Sequence, residues 1–147
     1  MADVTDHPTF DVELVTPDGP VFRGEAHMLI VPGAAGEIGV LARHAPLVAT
    51  LKAGSSRIYR DRAAEDVLEF ATGPGFFKVE LDRALALVDD AVGVKEIDDA
   101  RAREQLEAAQ AELARVDAGD STADRWQLEQ RIRHAENQLA VSGRTTG

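Results

Sequence analysis

Phe10, Val12 and Leu14 alternate with Asp11 and Glu13, and the run closes on Pro17-Asp18-Gly19. A period of two that ends in turn formers predicts a half-buried strand and a turn. Comparable short segments recur at Ala26 to Val31, Leu47 to Leu51, Ser56 to Arg60, Val67 to Ala71, Phe76 to Leu81 and Ala84 to Asp89. Pro/Gly-rich or charged stretches part them, and many short strands at this spacing predict a sandwich or barrel.

Downstream the period changes. Ala102, Leu106, Ala109, Leu113 and Val116 are separated by steps of 4, 3, 4 and 3, and Leu128, Ile132, Ala135 and Leu139 by 4, 3 and 4. Each set is one stripe of an amphipathic helix. Between the stripes, Asp117-Ala118-Gly119-Asp120-Ser121-Thr122 offers a glycine to stop one helix and Asp, Ser or Thr to cap the next. The expected architecture is a β-sandwich over residues 1–93 followed by an antiparallel two-helix hairpin over residues 94–147.

Composition sharpens that boundary. All six prolines, nine of the twelve glycines, all five phenylalanines and Tyr59 lie at or before Gly93. Beyond it Ala, Glu, Gln, Arg and Leu dominate, the strongest helix formers. The hairpin stripes are half alanine and valine. A fully buried Leu or Ile contributes roughly 1.5–3 kcal/mol and Ala far less, so the gain is of the order of the segment's ordering entropy. A hairpin held this weakly can move to another partner, a physical basis for a switch.

The 147 residues carry 16 Lys+Arg against 26 Asp+Glu, a net charge of −10. That charge repels phosphate backbones and anionic lipid, so no nucleic-acid partner is expected. Residues 1–93 hold 8 basic and 15 acidic groups, and residues 94–147 hold 8 and 11. Met1 to Pro8 is polar, with neither the basic start nor the apolar stretch of a targeting segment, and no apolar run is long enough to span a bilayer. Cysteine is absent, which removes disulfides, thiol nucleophiles and Cys-based zinc sites.

Catalytic chemistry finds little footing. His7, His27, His44 and His134 are scattered, outside any metal-ligand spacing, and no GxSxG elbow occurs. Gly33, Gly36 and Gly39 match no phosphate-loop spacing and read as glycines that let a sheet turn sharply. Asp89-Asp90 and Asp98-Asp99 read as solvated or capping acids. His44, before Ala45-Pro46, falls in a stretch from Val40 to Leu47 that reads as a loop, where it is a structural donor or an interface contact. Trp126 either anchors in a partner's groove or covers the hairpin's own seam.

Phe10 to Pro17, then Gly36-Glu37-Ile38-Gly39-Val40-Leu41, His44-Ala45-Pro46-Leu47 and Leu51 to Gly54, resemble the epsilon subunit of bacterial F-type ATP synthases in order and spacing. The terminal run Asn137 to Val141 is similar to that family's C-terminal domain. The resemblance implies a noncatalytic rotor component of the central stalk, peripheral to the cytoplasmic face of the bacterial membrane and held there only through partners. Its sandwich would bind gamma and rest on the c-ring, with Glu37 and His44 at the c-ring loops. Its hairpin would restrain ATP hydrolysis by reaching the alpha and beta subunits, Arg131 and Arg133 meeting an acidic surface there.

Some members of that family bind ATP in the hairpin, through a motif similar to Ile97-Asp98-Asp99-Ala100-Arg101-Ala102. The implied roles are Ile97 and Ala102 as motif positions, Asp98 on the adenine side and Arg101 on phosphate. Here the further basic positions of those relatives are Ala108, His134 and Gln138, so ATP is expected to be at most a weak regulatory ligand, and no cofactor is required. Capping by Asp98 is the competing role. Two other readings stand beside the resemblance: an acidic adaptor module, which would not bind gamma, and a nucleotide sensor built on Asp98 and Arg101, which would bind ligand tightly without affecting an ATPase.

Overall fold

The Phe10-Val12-Leu14 alternation forms strand β1 (Phe10–Thr16) in the computed structural model, which describes residues 8–146 and the side chains of residues 8–143. The polar opening residues 1–7 and Gly147 lie outside the described residues. The chain divides into two compact units, Met1–Gly93 and Val94–Gly147.

The first unit continues through β2 (Gly19–Ala26), β3 (Met28–Gly33), β4 (Gly36–Val40), β5 (His44–Leu51), β6 (Gly54–Tyr59), β7 (Val67–Thr72), β8 (Gly75–Leu81), β9 (Arg83–Val88) and β10 (Ala91–Gly93). The strand order is β10-β7-β6-β3-β5-β8-β9-β1-β2, with β4 paired to β3. Among the described residues, all pairings are antiparallel except β1 with β9. Between β3 and β5 the ladder narrows to Gly33 opposite Leu51. There the sheet folds over, so that inward residues of both halves share one core: Leu29, Val31 and Ile58 from one side, Phe10, Val12, Phe77 and Val79 from the other. A buried Ser56 hydroxyl bonds Thr72 at 2.8 Å within this apolar interior, so neither polar group goes unpaired.

Two glycines make the β3–β4 turn. A Cβ at Gly33 would lie 2.6 Å from the Gly36 carbonyl oxygen, and Gly36 has φ +141°, a region open to glycine alone at little cost. The stretch expected to be a loop from Val40 to Leu47 is shorter than that, because β5 begins at His44 and pairs it with Leu81. The strand accommodates Ala45-Pro46 through a register shift between His44 and Leu47, the irregularity that a proline without an N–H requires.

The second unit opens with a 3₁₀ turn (Val94–Glu96) and continues as α1 (Asp99–Asp117) and α2 (Arg125–Thr146). Ala102 and Ala109 are buried on α1, with Leu106, Leu113 and Val116 half-buried beside them; Leu128 and Ala135 are buried on α2. The two stripes therefore face inward as their spacing predicts. Asp98 caps α1 by accepting the Arg101 N–H at 3.1 Å. At the other end Gly119 takes φ +79°, its N–H reaches Val116 O, and Asp120 N–H reaches Arg115 O, the left-handed helix stop. Asp124, two residues beyond the anticipated loop, caps α2 through Trp126 N–H at 2.9 Å. Trp126 itself is exposed, so it does not cover the hairpin's seam.

Candidate functional site

Outward positions of the sheet half β5-β8-β9-β1-β2 alternate with the core set. The register lines up Thr50, Phe76, Leu87, Val15 and Pro20 across five strands. Val48 stands beside this row on β5. Val48 is 69% exposed, Phe76 62% and Leu87 46%. Large apolar groups held in contiguous exposure on a rigid sheet mark a partner surface. Next to the row an open cleft of about 640 Å³ is lined by charges of both signs, among them Asp11, Glu13, Arg23, Lys78, Glu80 and Arg83. Glu13 and Arg23, opposite one another in register, form an ion pair at 3.2 Å.

The other sheet half carries Glu37. It lies on β4 opposite Pro32, next to the β3–β4 turn, and its Oε2 accepts a hydrogen bond from Arg57 Nη2 of β6 at 2.9 Å. Glu69 faces Arg57 across β6–β7 and accepts from the Ser55 hydroxyl. His44 is placed by a different pairing: it starts β5, with its Nδ1 2.6 Å from the Ala45 carbonyl. Leu51, not His44, is the end of β5 that meets the β3–β4 turn. Glu37 and His44 share no hydrogen bond or ion pair among the described residues.

In the hairpin, the four residues expected to touch ATP lie at the start of α1. Ile97 is half-buried, Ala102 is buried, Arg101 is exposed, and the Asp98 carboxylate is engaged as the helix cap. Arg131 and Arg133 are exposed on α2 and form no ion pair among the described residues. Ala108 is exposed, while Nε2 of His134 is shielded from solvent. At the hairpin turn, Ser121 donates to Glu112, Arg115 donates to Glu112 at 3.0 Å and to Asp120 O at 3.1 Å, and Arg125 pairs with Asp117. The Ser121 hydroxyl, aided by the Arg115 charge, holds the Glu112 carboxyl below the usual carboxylate range. No cluster of three or more His, Asp or Glu side chains is placed to hold a metal ion among the described residues.

A family described as the ATP synthase Delta/Epsilon chain, beta-sandwich domain, matches residues 9–94. The ATP synthase epsilon chain of Halalkalibacterium halodurans is 37% identical over 93% of this chain and 99% of its own length. This chain belongs to the ATP synthase epsilon-chain family. The epsilon chain of Rubrobacter xylanophilus, 35% identical, covers 91% of this chain with 92% of its length, so the likeness includes the hairpin as well as the sandwich.

Solved structures share the fold. A chain of the Euglena gracilis mitochondrial ATP synthase, from an OSCP/F1/c-ring structure, superposes with TM-score 0.61 at 20% identity, covering 97% of this chain and 83% of that one. A chain from the central stalk/c-ring of the Tetrahymena thermophila enzyme gives 0.55 at 14%, covering 97% of this chain and all of that one.

Two parts of the surface were not singled out from the sequence. The exposed row has a signal: adjacent Phe76 and Phe77 must point to opposite faces of a strand, and only one of them can reach the core. Arg57 has none, since its partner Glu37 is 20 residues away.

Proposed function

We propose that this chain is the noncatalytic central-stalk subunit of a proton- or sodium-translocating F-type ATP synthase, coupling the c-ring to gamma and restraining ATP hydrolysis through its hairpin. The observation that carries the reading is the exposed row of Val48, Phe76 and Leu87 on a sheet whose opposite face is fully packed. Apolar area left in water forgoes roughly 25 cal/mol per Å², and covering this row against gamma recovers it without any rearrangement of the sheet. The charged cleft alongside fixes the register of that contact, because mismatched like charges at an interface are costly.

The remaining partners follow from the family relation. Glu37 and His44 serve the c-ring side, and Arg131 and Arg133 meet the alpha and beta subunits when the hairpin acts. The net charge of −10 disfavours nucleic acid. No helix is long and apolar enough to cross a membrane among the described residues; the proposed location is the cytoplasmic face of the bacterial membrane, reached through the complex. ATP is at most a weak regulatory ligand of Ile97, Asp98, Arg101 and Ala102, because the Asp98 carboxylate is already engaged by Arg101 N–H. Micromolar binding in a calorimetric titration would overturn that point.

The test is ATP hydrolysis by the matching catalytic complex lacking this subunit, after adding back the full chain or a version ending at Gly93. Both are expected to bind gamma and only the full chain to slow hydrolysis. Failure of both to bind gamma favours an adaptor outside the synthase.

A further inference from the structure

We propose that Arg57 is a positioning residue for Glu37, presenting its carboxylate to the c-ring as a directed, charge-balanced acceptor rather than as a free negative charge. The inference rests on the central-stalk reading above and adds to it a residue that neither the family motif nor the local sequence singles out.

The geometry is specific. Arg57 on β6 and Glu37 on β4 flank β3, so the bond crosses two strand spacings, roughly 10 Å of sheet. The Arg57 side chain is 32% exposed and that of Glu37 61%, so the cation is rooted in the sheet and the carboxylate faces outward. Arg57 Nη2 occupies Oε2, while Oε1 accepts no hydrogen bond among the described residues and remains available to a donor on the partner. Gly39, opposite Ile30 in the row that holds Arg57, adds no side chain, and a Cβ built there would meet nothing within 4 Å. The approach to the pair stays open.

Stability does not account for the arginine. Its Nε–H is buried without an acceptor, which is unfavourable, and a largely exposed ion pair contributes little in return. The neighbouring Glu69, directly opposite in register, takes the Ser55 hydroxyl. An apolar side chain between Ile30 and Glu69 would leave no orphaned donor. What the arginine provides instead is orientation: a charged donor rooted in the sheet holds one oxygen of a flexible glutamate through a charge-assisted hydrogen bond and turns the other outward.

The test uses membrane vesicles whose complex lacks this subunit, reconstituted with wild type, Arg57→Gln, Arg57→Lys, Glu37→Gln or the double variant. ATP-driven ion pumping is measured per ATP hydrolysed, with thermal unfolding of each variant alongside. Glu37→Gln and Arg57→Gln are each expected to lower the ratio several-fold, with the double variant no worse than Glu37→Gln alone, since coupled residues are non-additive. Arg57→Lys should recover part of it. Arg57→Gln should also make coupling more sensitive to salt, because an unpaired carboxylate acts through screened charge; a merely structural loss would not do so. Wild-type pumping in Arg57→Gln, an unaffected Glu37→Gln, or losses that multiply in the double variant would each overturn the proposal. If wild type itself fails to bind and restore pumping, the central-stalk reading fails instead.

Discussion

Among the described residues, fifteen buried apolar side chains, three of them phenylalanine, form the core of the sandwich, whereas the buried apolar set of the hairpin is Ala102, Ala109, Ala135, Leu128 and Val141. Burial free energy scales with area, so the two units reach their shapes by different means. The sandwich is held by its interior. The hairpin has little interior to rely on, and its ends carry the specification: Asp98 and Asp124 as caps, Gly119 as the stop, and the Ser121–Glu112–Arg115 cluster at the turn. A unit specified at its ends can keep its helices while changing its partners, as the proposed restraint of hydrolysis requires.

Substitutions can break this contrast, beginning with the largest effect. Phe77→Ala empties a fully buried site between β5 and β9 and should cost about 3–5 kcal/mol in denaturant unfolding; a loss under 1 kcal/mol would mean that the core is not what holds the sandwich. Leu128→Ala removes the one buried leucine of the hairpin and should cost about 2 kcal/mol, the low end for such truncations because a seam of alanines can close in. The readout is the helical far-ultraviolet signal on heating. Gly119→Ala forces a Cβ into the left-handed region and should cost roughly 1–2 kcal/mol, detected as fraying of α1 by amide exchange.

The smallest effect concerns acid. Glu112 titrates below the ordinary carboxylate range in the folded hairpin, through the Ser121 hydroxyl first and Arg115 second. Its contribution is therefore present above the unfolded carboxylate value and lost as pH falls through the folded one. Helix melting of wild type should drop on acidification across that window, and Ser121→Ala should shrink the drop. An identical acid response in both proteins would remove Ser121 from the account.

Much of this was legible because local periodicity and tertiary burial agree. Val12 and Leu14, or Leu106 and Ala109, declare their faces by spacing alone. Strand β2 escaped that reading because it is an edge strand: among the described residues it pairs only with β1, tolerates Pro20 at the register shift, and exposes Val21. β4 was masked by Gly36 and Gly39, whose turn-forming character hides the alternation of Ile38 and Val40. β10 has only three residues, too few to show a period. The cap of α2 lies at Asp124, beyond the Asp, Ser or Thr anticipated within residues 117–122, and Ser121 is committed to Glu112 instead. The Arg57–Glu37 pair depends on strand order, which no local window contains.

The pairing of β1 with β9 has a consequence in the order of synthesis. β1 can form a hairpin with β2 as soon as both have left the ribosome, but its other edge waits for Arg83 to Leu87. Until then Phe10, Val12 and Leu14 sit on a strand with one open edge, and the parallel contact with β9 closes only after β2 to β8 have been made. Non-local pairing of this kind is slow and leaves apolar edges exposed meanwhile. The nascent first unit is therefore most vulnerable to chaperone capture or misassociation while the residues between Ala26 and Arg83 are still being made, and that vulnerability ends when β9 docks.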